Sequence, residues 1–186
     1  MTDAPEHLLV DDCRRGRRAA QYELYRRYER AMFGTCLRMC GNREDAEDVL
    51  QGSFADAFAK LDHFRADATL GAWLKRIVIN NCLNHLKRRR LRFDELDDRH
   101  GHAAVVVDPE PYAHPGAAPA YDVDDVKRAV AGLADGYRTV LTLYLFEGLD
   151  HAEIADYLGI SEQTSKSQYS RARRRLREAL TPTERP

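Results

Sequence analysis

Proline is missing from two long stretches of the chain. None of the seven prolines falls in 6–108 or in 120–181, and four of them stand at 109, 111, 115 and 119. A residue that cannot donate a helix hydrogen bond is thus confined to the termini and one internal segment. Long hydrophobic runs are absent too. Nothing approaches the ~18 uncharged apolar residues of a membrane span, so no membrane insertion is expected. The start, MTDAPEHLLVDDCRRG, lacks the basic-then-apolar order of a secretion signal, and a cytoplasmic location is expected. Four cysteines do not make a disulfide scaffold, and in that compartment they are expected to be reduced thiols. No nucleophile–base pair, phosphate-binding loop or pair of acids in a cleft can be found. Neither catalysis nor a cofactor is expected.

Net charge is nearly absent as well, at −1, but its distribution is uneven. Residues 93–125 hold nine acids (Asp94, Glu95, Asp97, Asp98, Asp108, Glu110, Asp122, Asp124 and Asp125) against the single base Arg99, a balance of −8. The remainder therefore sums to +7, since −1 minus −8 is +7. A basic protein is interrupted by an acidic, proline-rich strap. The basic remainder is the distribution expected of a polyanion binder.

The proline-free stretches carry helical apolar spacing. Helices are expected over Glu6–Arg14, a short and weak one; over Arg17–Cys40, with Tyr22, Leu24, Tyr25, Tyr28, Met32, Phe33, Cys36, Leu37 and Cys40 as its apolar positions; and over Arg43–Leu61. Gly41 reads as a C-terminal stop and Asn42 as an N-cap. Thr69 caps a further helix to about Arg92, with the stripe Leu70, Trp73, Leu74, Ile77, Val78, Cys82 and Leu86. After the strap, helices are expected from Val123 to about Leu133 and from Gly136 to Glu147. Two short ones follow over 151–158 and 162–179. Val105-Val106-Val107 could form a short strand, but no partner is evident. The fold class is all-α, with two small helical domains, 1–92 and 123–186, joined by an acidic linker over 93–122.

Three patterns carry candidate chemistry. In LDHAEIADYLGISEQTSKSQYSRARRRLREAL, Asp150 and Glu153 suit a capping box. Gly159 sits at a tight turn and Ser161 caps the next helix, with Thr164 at its third position. This is the pattern of a helix-turn-helix, whose second helix would enter the major groove. There Gln163, Lys166, Ser167, Ser170, Arg171 and Arg174 point away from an inner face of Tyr169, Ala172 and Leu176. Amides and arginines read base edges, while lysine and serine hold phosphates. A plain helical hairpin with a solvated basic face is the alternative. Second, Asp45, Asp48 and Gln51 share a face opposite Phe54 and Phe58; spacing alone favours an ordinary solvated face. Third, Arg76, Asn80, Asn84, Lys87 and Arg88 lie away from the Leu74/Val78/Leu86 stripe. Preceded by Phe64 and Trp73, they suit single-stranded nucleic acid, with charges for phosphate and rings for stacking. Trp73 also lies on the apolar stripe, and on spacing alone core packing is the favoured role for it. Cys36 and Cys40 share a helical face but have no suitably spaced histidine, so packing rather than metal binding is expected. The linker histidines 100, 102 and 114 are expected to be solvated.

Taken in order, GNREDAEDVLQGSFADAFAKL, LGAWLKRIVINNCLNHLKRRR and the C-terminal motif resemble bacterial sigma factors of the compact extracytoplasmic-function class. The resemblance covers about 17–92 and 124–180. It implies a factor that binds core RNA polymerase, selects promoters and helps melt the −10 region. It implies core binding through Asp45, Asp48 and Gln51 to the clamp of the largest subunit, with a further contact to the flap of the second subunit. It implies −10 contacts from Phe64, Arg65, Trp73, Arg76, Asn80, Asn84, Lys87 and Arg88. For the −35 element it implicates Gln163, Thr164, Lys166, Ser167, Gln168 and Arg171, of which Gln163, Thr164 and Ser167 are assigned to bases and Lys166 and Arg171 to the backbone. An anti-sigma factor is a common partner in such a family. The alternative is a free-standing helix-turn-helix regulator, which would need a dimer seam; no heptad run supplies one.

Some positions depart from the family pattern. Gly52 stands mid-helix where a glutamate is usual, a loss of roughly 1 kcal/mol in helix stability against alanine. Ser165 and Tyr169 replace an aliphatic pair, and Gln168 replaces a common arginine. The linker is expected to run drawn out: about 30 free residues span roughly 30 Å, whereas two DNA elements more than a helical turn apart need on the order of 50–80 Å. The resemblance places it in a basic channel of the polymerase. Replacing its nine acids by Ser or Asn should weaken initiation in an in-vitro transcription assay; unchanged holoenzyme formation and initiation would contradict that role.

Overall fold

The computed structural model describes residues 6–65, 67–94 and 122–181, the side chains of 90–94 excepted. Every regular element among them is helical, as the all-α expectation requires. Residues 95–121 of the expected 93–122 linker, with the Val105–Val107 run and the three histidines, lie outside the described residues, and its first two positions continue the preceding helix. The chain falls into two units, Met1–Asp94 and Glu95–Pro186.

The first unit contains α1 (Glu6–Arg14), α2 (Arg18–Cys40), α3 (Arg43–Lys60), a 3-10 turn (Leu61–His63) and α4 (Leu70–Asp94). Helix α2 ends where Gly41 takes φ 81, a left-handed conformation that any side chain would strain. Asn42 at once caps α3, its side chain accepting from Asp45 N at 2.9 Å. The core of this unit is Leu24, Met32, Met39 and Cys36 of α2, Val49, Leu50 and Phe54 of α3, and Leu70, Leu74, Val78 and Cys82 of α4. The Tyr25 ring meets Phe54 with centroids 4.7 Å apart. Tyr22 and Leu37 of the expected α2 stripe are exposed, and the α4 stripe is shifted. Tyr22 is 65% exposed, because Ala20 and Leu24 take the inward positions on either side of it. On α4, Ile79 is buried and Ile77 only half-buried, so the inward stripe is wider than the spacing suggested.

Helix α1 is short, yet it fastens the others. At its start, Glu6 Oε1 accepts from the backbone N of Leu70 at 2.9 Å, the first residue of α4, and Glu6 Oε2 accepts from the Tyr28 hydroxyl at 3.0 Å. Burial first, then that bond to Glu6, pushes the Tyr28 phenol up to about 12. At its far end, Arg14 donates to the carbonyl of Phe64 at 2.7 Å and to that of Leu61 at 3.2 Å. An acid thus sits at a helix N-terminus, and a cation caps carbonyls at the end of α3 and its 3-10 turn, each where the helix dipole favours it. Leu9, Val10 and Cys13 bury the face between them.

The second unit contains α5 (Val123–Ala131), α6 (Asp135–Leu145), α7 (His151–Leu158) and α8 (Glu162–Leu180). Val140, Leu141 and Leu143 of α6 meet Ile154 of α7 and Ala172 of α8 in its core. Arg138 is buried at 3% exposure and fully occupied. It donates to the carbonyls of Leu133 at 2.6 Å and Ala131 at 3.3 Å, and pairs with Asp135 at 2.5 Å. A buried cation of this kind is tolerated because it is paired, and its bonds to Ala131, Leu133 and Asp135 close the α5–α6 turn.

Glu6→Ala should therefore cost about 1–3 kcal/mol of stability, the loss of a helix cap plus an orphaned buried donor. Tyr28→Phe should cost less. In urea unfolding of the intact chain, strictly additive single and double variants would show that the two contacts do not form one unit.

Candidate nucleic-acid and partner interfaces

The C-terminal interface is built by caps. Asp150 accepts from Glu153 N at 2.8 Å, and Glu153 accepts from Asp150 N at 2.8 Å, a complete capping box at the start of α7. Gly159 takes φ 65, which lets the chain turn sharply into α8. Ser161 Oγ accepts from Thr164 N at 3.0 Å and also meets Thr164 Oγ1 at 2.8 Å. The expected helix-turn-helix is formed.

The free face of α8 is not quite the one expected. Gln163, Lys166, Ser170 and Arg174 are exposed, while Gln168 and Arg171 are half-buried. Ser167 is only 5% exposed, and its hydroxyl donates to the Thr164 carbonyl at 2.9 Å. Its assignment to base readout is corrected here, because a hydroxyl folded back on its own helix cannot reach a groove. Thr164 is half-buried with its hydroxyl engaged in the cap. Ser170 and Arg174 continue the three- and four-residue steps from Gln163 and Lys166 and stay exposed with them. Lys166 pairs with Glu162 at 2.6 Å.

Beneath that face lies a polar and aromatic seam. His151 stacks on Tyr144 with centroids 4.6 Å apart at 17°. Tyr169 approaches Tyr144 at 4.5 Å and His151 at 5.6 Å. His151 Nδ1 lies 3.0 Å from the Oγ of Ser165, which is fully buried. Burial, and then the charge of Lys166, hold the imidazole below its ordinary pKa, against smaller opposing effects of Glu162 and Asp150. Sequence reasoning missed His151; the departure of Ser165 and Tyr169 from an aliphatic pair was the available signal.

In the first unit, α3 and α4 are joined by polar contacts. Asp45 is drawn toward α4, where it pairs with His85 at 3.3 Å and Arg89 at 3.2 Å. Burial pushes its carboxyl up, but the Asn42 bond, then His85 and Arg89, outweigh that and hold it below the usual carboxylate range. Farther along, Asn81 donates to Ser53 at 3.2 Å and to Asp56 at 2.9 Å. Between these contacts the helices leave a groove of about 380 Å³ lined by Asp48, Val49, Gly52 and Asp56 of α3 and by Asn81, Asn84, His85 and Arg88 of α4. Asp48 and Gln51 are exposed, unlike Asp45.

On α4, Arg76, Asn80, Asn84, Lys87 and Arg88 are all exposed, as their spacing predicts. Arg65 is exposed in the preceding loop. Phe64 is not available for stacking. It is 7% exposed and packs on the half-buried Trp73 with centroids 5.4 Å apart. Its assignment to base contact is corrected: the ring fills the space under the loop while Arg14 holds its carbonyl. Cys36 and Cys40 are joined in the core by Cys82 of α4. The hydrogen-bonded thiols of Cys36 and Cys40, and burial, push the Cys82 thiol well up, so it stays protonated and inert. Among the described residues no group of three or more His, Cys, Asp or Glu could hold a metal, and no helix is long and apolar enough to cross a membrane.

A family model for Sigma-70 region 2 matches residues 24–92, and one for Sigma-70 region 4 matches 124–176. The chain is 30% identical to the RNA polymerase sigma-H factor of Pseudomonas aeruginosa, across 98% of this chain and 97% of that protein. It is 32% identical to the ECF RNA polymerase sigma factor SigM of Mycobacterium tuberculosis, across 89% of this chain and 79% of that one. Its fold is similar to the sigma factor RpoE of Bartonella quintana, solved in complex with the anti-sigma factor NepR. That match has a TM-score of 0.57 at 27% identity, covering 88% of this chain and 98% of that one.

The His151 seam has a pH consequence. Its folded pKa lies below the ordinary 6.5, so neutral His151 contributes stability that is present above 6.5 and lost as the pH falls through the folded value. Acidification from pH 7.5 to 5 should destabilise the second unit, and His151→Phe should remove that part of the pH dependence. An NMR titration midpoint at or above 6.5 would contradict this.

Proposed function

We propose a division of labour that proceeds from one premise: the chain belongs to the sigma-70 family, in its extracytoplasmic-function class. As such it directs RNA polymerase to promoters. Asp48 and Gln51 of α3 present the surface for the clamp of the largest polymerase subunit. The exposed row Arg76, Asn80, Asn84, Lys87 and Arg88 of α4, with Arg65 ahead of it, takes the −10 element. Helix α8 reads the −35 element, with Gln163 and Ser170 toward bases and Lys166, Arg171 and Arg174 toward phosphates.

What carries this reading is how the polar residues of α3 are used. Asp45 is held by His85 and Arg89 of its own unit, whereas Asp48 and Gln51 on the same face stay exposed. A solvated face of purely structural use would not need that contrast. The single-strand role of α4 rests on its cations and amides, with half-buried Trp73 as the nearest ring. The protein works in the cytoplasm as a specificity subunit, and the chemistry of RNA synthesis belongs to the polymerase. An anti-sigma partner, like that crystallised with the Bartonella quintana relative, suits the exposed Leu145 and Phe146 at the end of α6, at 52% and 48% exposure. Those two residues also suit the flap of the second subunit.

The test of the core surface is Asp48→Ala combined with Gln51→Ala. Stability should change by no more than ~0.5 kcal/mol per site, and affinity for core polymerase should fall clearly. Equal affinity with a lowered melting temperature would make the face structural. On α8, Gln163→Ala should cost ~1–3 kcal/mol only on promoters that carry its base. Lys166→Ala should weaken all promoters alike and lower the salt slope by about one. Filter binding to −35 variants at two salt concentrations separates the two.

A further inference from the structure

The connector over 61–69 is fastened more firmly than a helix start needs. Thr69 already caps α4 locally, its hydroxyl accepting from Ala72 N at 3.2 Å. At an open helix start, water would serve the Leu70 N–H. Here that N–H donates instead to Glu6 Oε1 at 2.9 Å, from a residue 64 positions away in the chain. For the helix itself such a bond does little that water would not do. What it adds is a fixed position of the start of α4 against α1.

Tyr28 completes the clasp. Its hydroxyl donates to Glu6 Oε2 at 3.0 Å, so one carboxylate ties α2 to the first residue of α4. Its ring lies against the first turn of α4 at Gly71, where a Cβ would come within 3.1 Å of Tyr28 Cε1. Gly71 is not among the glycines of positive φ, so the backbone does not call for glycine there; the close approach of the ring does. At the other end of the connector, Arg14 holds the carbonyls of Leu61 and Phe64. Beneath it Phe64 packs on Trp73. Arg65 and Asp67 are left exposed between the two fixed ends.

This fastening bears on how the connector meets DNA. Bases must be unstacked from the duplex at a cost before a protein can take them. A connector that had to order itself at the same moment would add its own cost. Only molecules whose connector already has the binding shape can take the strand, so apparent affinity falls in proportion to that fraction.

We propose that Glu6 and Tyr28 are positioning residues for the single strand of the −10 element. They act through the connector and the first turn of α4, and they set how readily the melted strand is taken. This rests on the reading of Arg65 and α4 as the −10 surface. It adds to that reading two residues outside the surface that keep it ready.

The test uses holoenzyme reconstituted from core polymerase and the full chain. It is titrated with a single-stranded oligonucleotide carrying the −10 sequence of a promoter it transcribes, and separately with the −35 duplex of that promoter. Glu6→Ala should bind the single strand about tenfold more weakly and Tyr28→Phe several-fold more weakly, with affinity for core and for the −35 duplex unchanged. Glu6→Gln should bind close to wild type, since an amide oxygen accepts from Leu70 N and its nitrogen can donate to the Tyr28 oxygen. In the free chain, trypsin should cut after Arg65 faster in Glu6→Ala than in wild type, while cleavage after the exposed Arg26 and Arg30 of α2 stays slow. Equal acceleration at all three sites would make the clasp merely structural and overturn the proposal. So would wild-type affinity of Glu6→Ala for the single strand, or a Glu6→Gln variant as weak as Glu6→Ala. Each of these leaves the −10 reading intact. A wild-type holoenzyme with no affinity for the single strand would overturn both.

Discussion

The first unit depends on two of the charges carried by α1, Glu6 and Arg14. Glu6 holds the N-terminus of α4 and Arg14 holds the end of α3 and its turn, so one nine-residue helix fixes both ends of the connector over 61–69. That connector carries Arg65 and leads into the exposed row of α4. With Leu70 N and the carbonyls of Leu61 and Phe64 all bonded to side chains of α1, the segment has a fixed exit and a fixed entry. A loop tethered this way presents its side chains to a partner with little ordering cost left at the moment of binding.

The same accounting separates structural polar residues from functional ones. A buried or half-buried polar group must find a partner, and here most do so within their own unit. Asp45 is taken by α4, Arg138 by α5, Ser165 by His151 and Ser53 by its own helix and Asn81. The residues that remain exposed lie in rows: Asp48 with Gln51, Arg76 to Arg88, and Gln163 to Arg174. Chemically similar residues one turn apart on the same helix, such as Asp45 and Asp48, therefore differ in role. Whether α4 places a cationic side chain opposite, as His85 and Arg89 stand opposite Asp45, decides the matter, and helical spacing cannot carry that information.

Local signals were legible in the sequence. The stop at Gly41, the caps at Asn42, Thr69, Asp150 and Ser161, and the turn at Gly159 all follow from backbone groups within a few residues, and all are formed. What escaped depends on which neighbour sits across the interface. Tyr22 fits an apolar stripe yet faces solvent, because α2 buries a narrow face in a unit of only four helices. Phe64 reads as a ring for stacking on bases, but the floor under the loop needed filling. Ser167 reads as a groove residue until its hydroxyl is found bonded to Thr164. Each error treated a side chain as free when a tertiary or backbone partner had claimed it. Cys82 likewise gives no sign in sequence that it will meet Cys36 and Cys40, since 42 residues separate it from the nearer one.

The seam under α8 bears on how a small unit can read DNA at all. Aliphatic contacts are non-directional, and a helix resting on them can slide or roll at small cost. A roll of one residue turns an α-helix by about 100°, enough to move the exposed Gln163 and Ser170 to a different face of the unit. Ser165 is fully buried and sits 3.0 Å from His151 Nδ1, a directional bond that a rolled helix would break. Breaking it would leave a buried hydroxyl unsatisfied, at a cost of about 1–3 kcal/mol. The stacked Tyr144 and His151 rings restrict the same motion from the other side. Polar substitution in this seam thus gives up some apolar burial and gains a fixed register. It also explains why a neutral imidazole matters: a charged one would be partly desolvated and would lie close to Lys166.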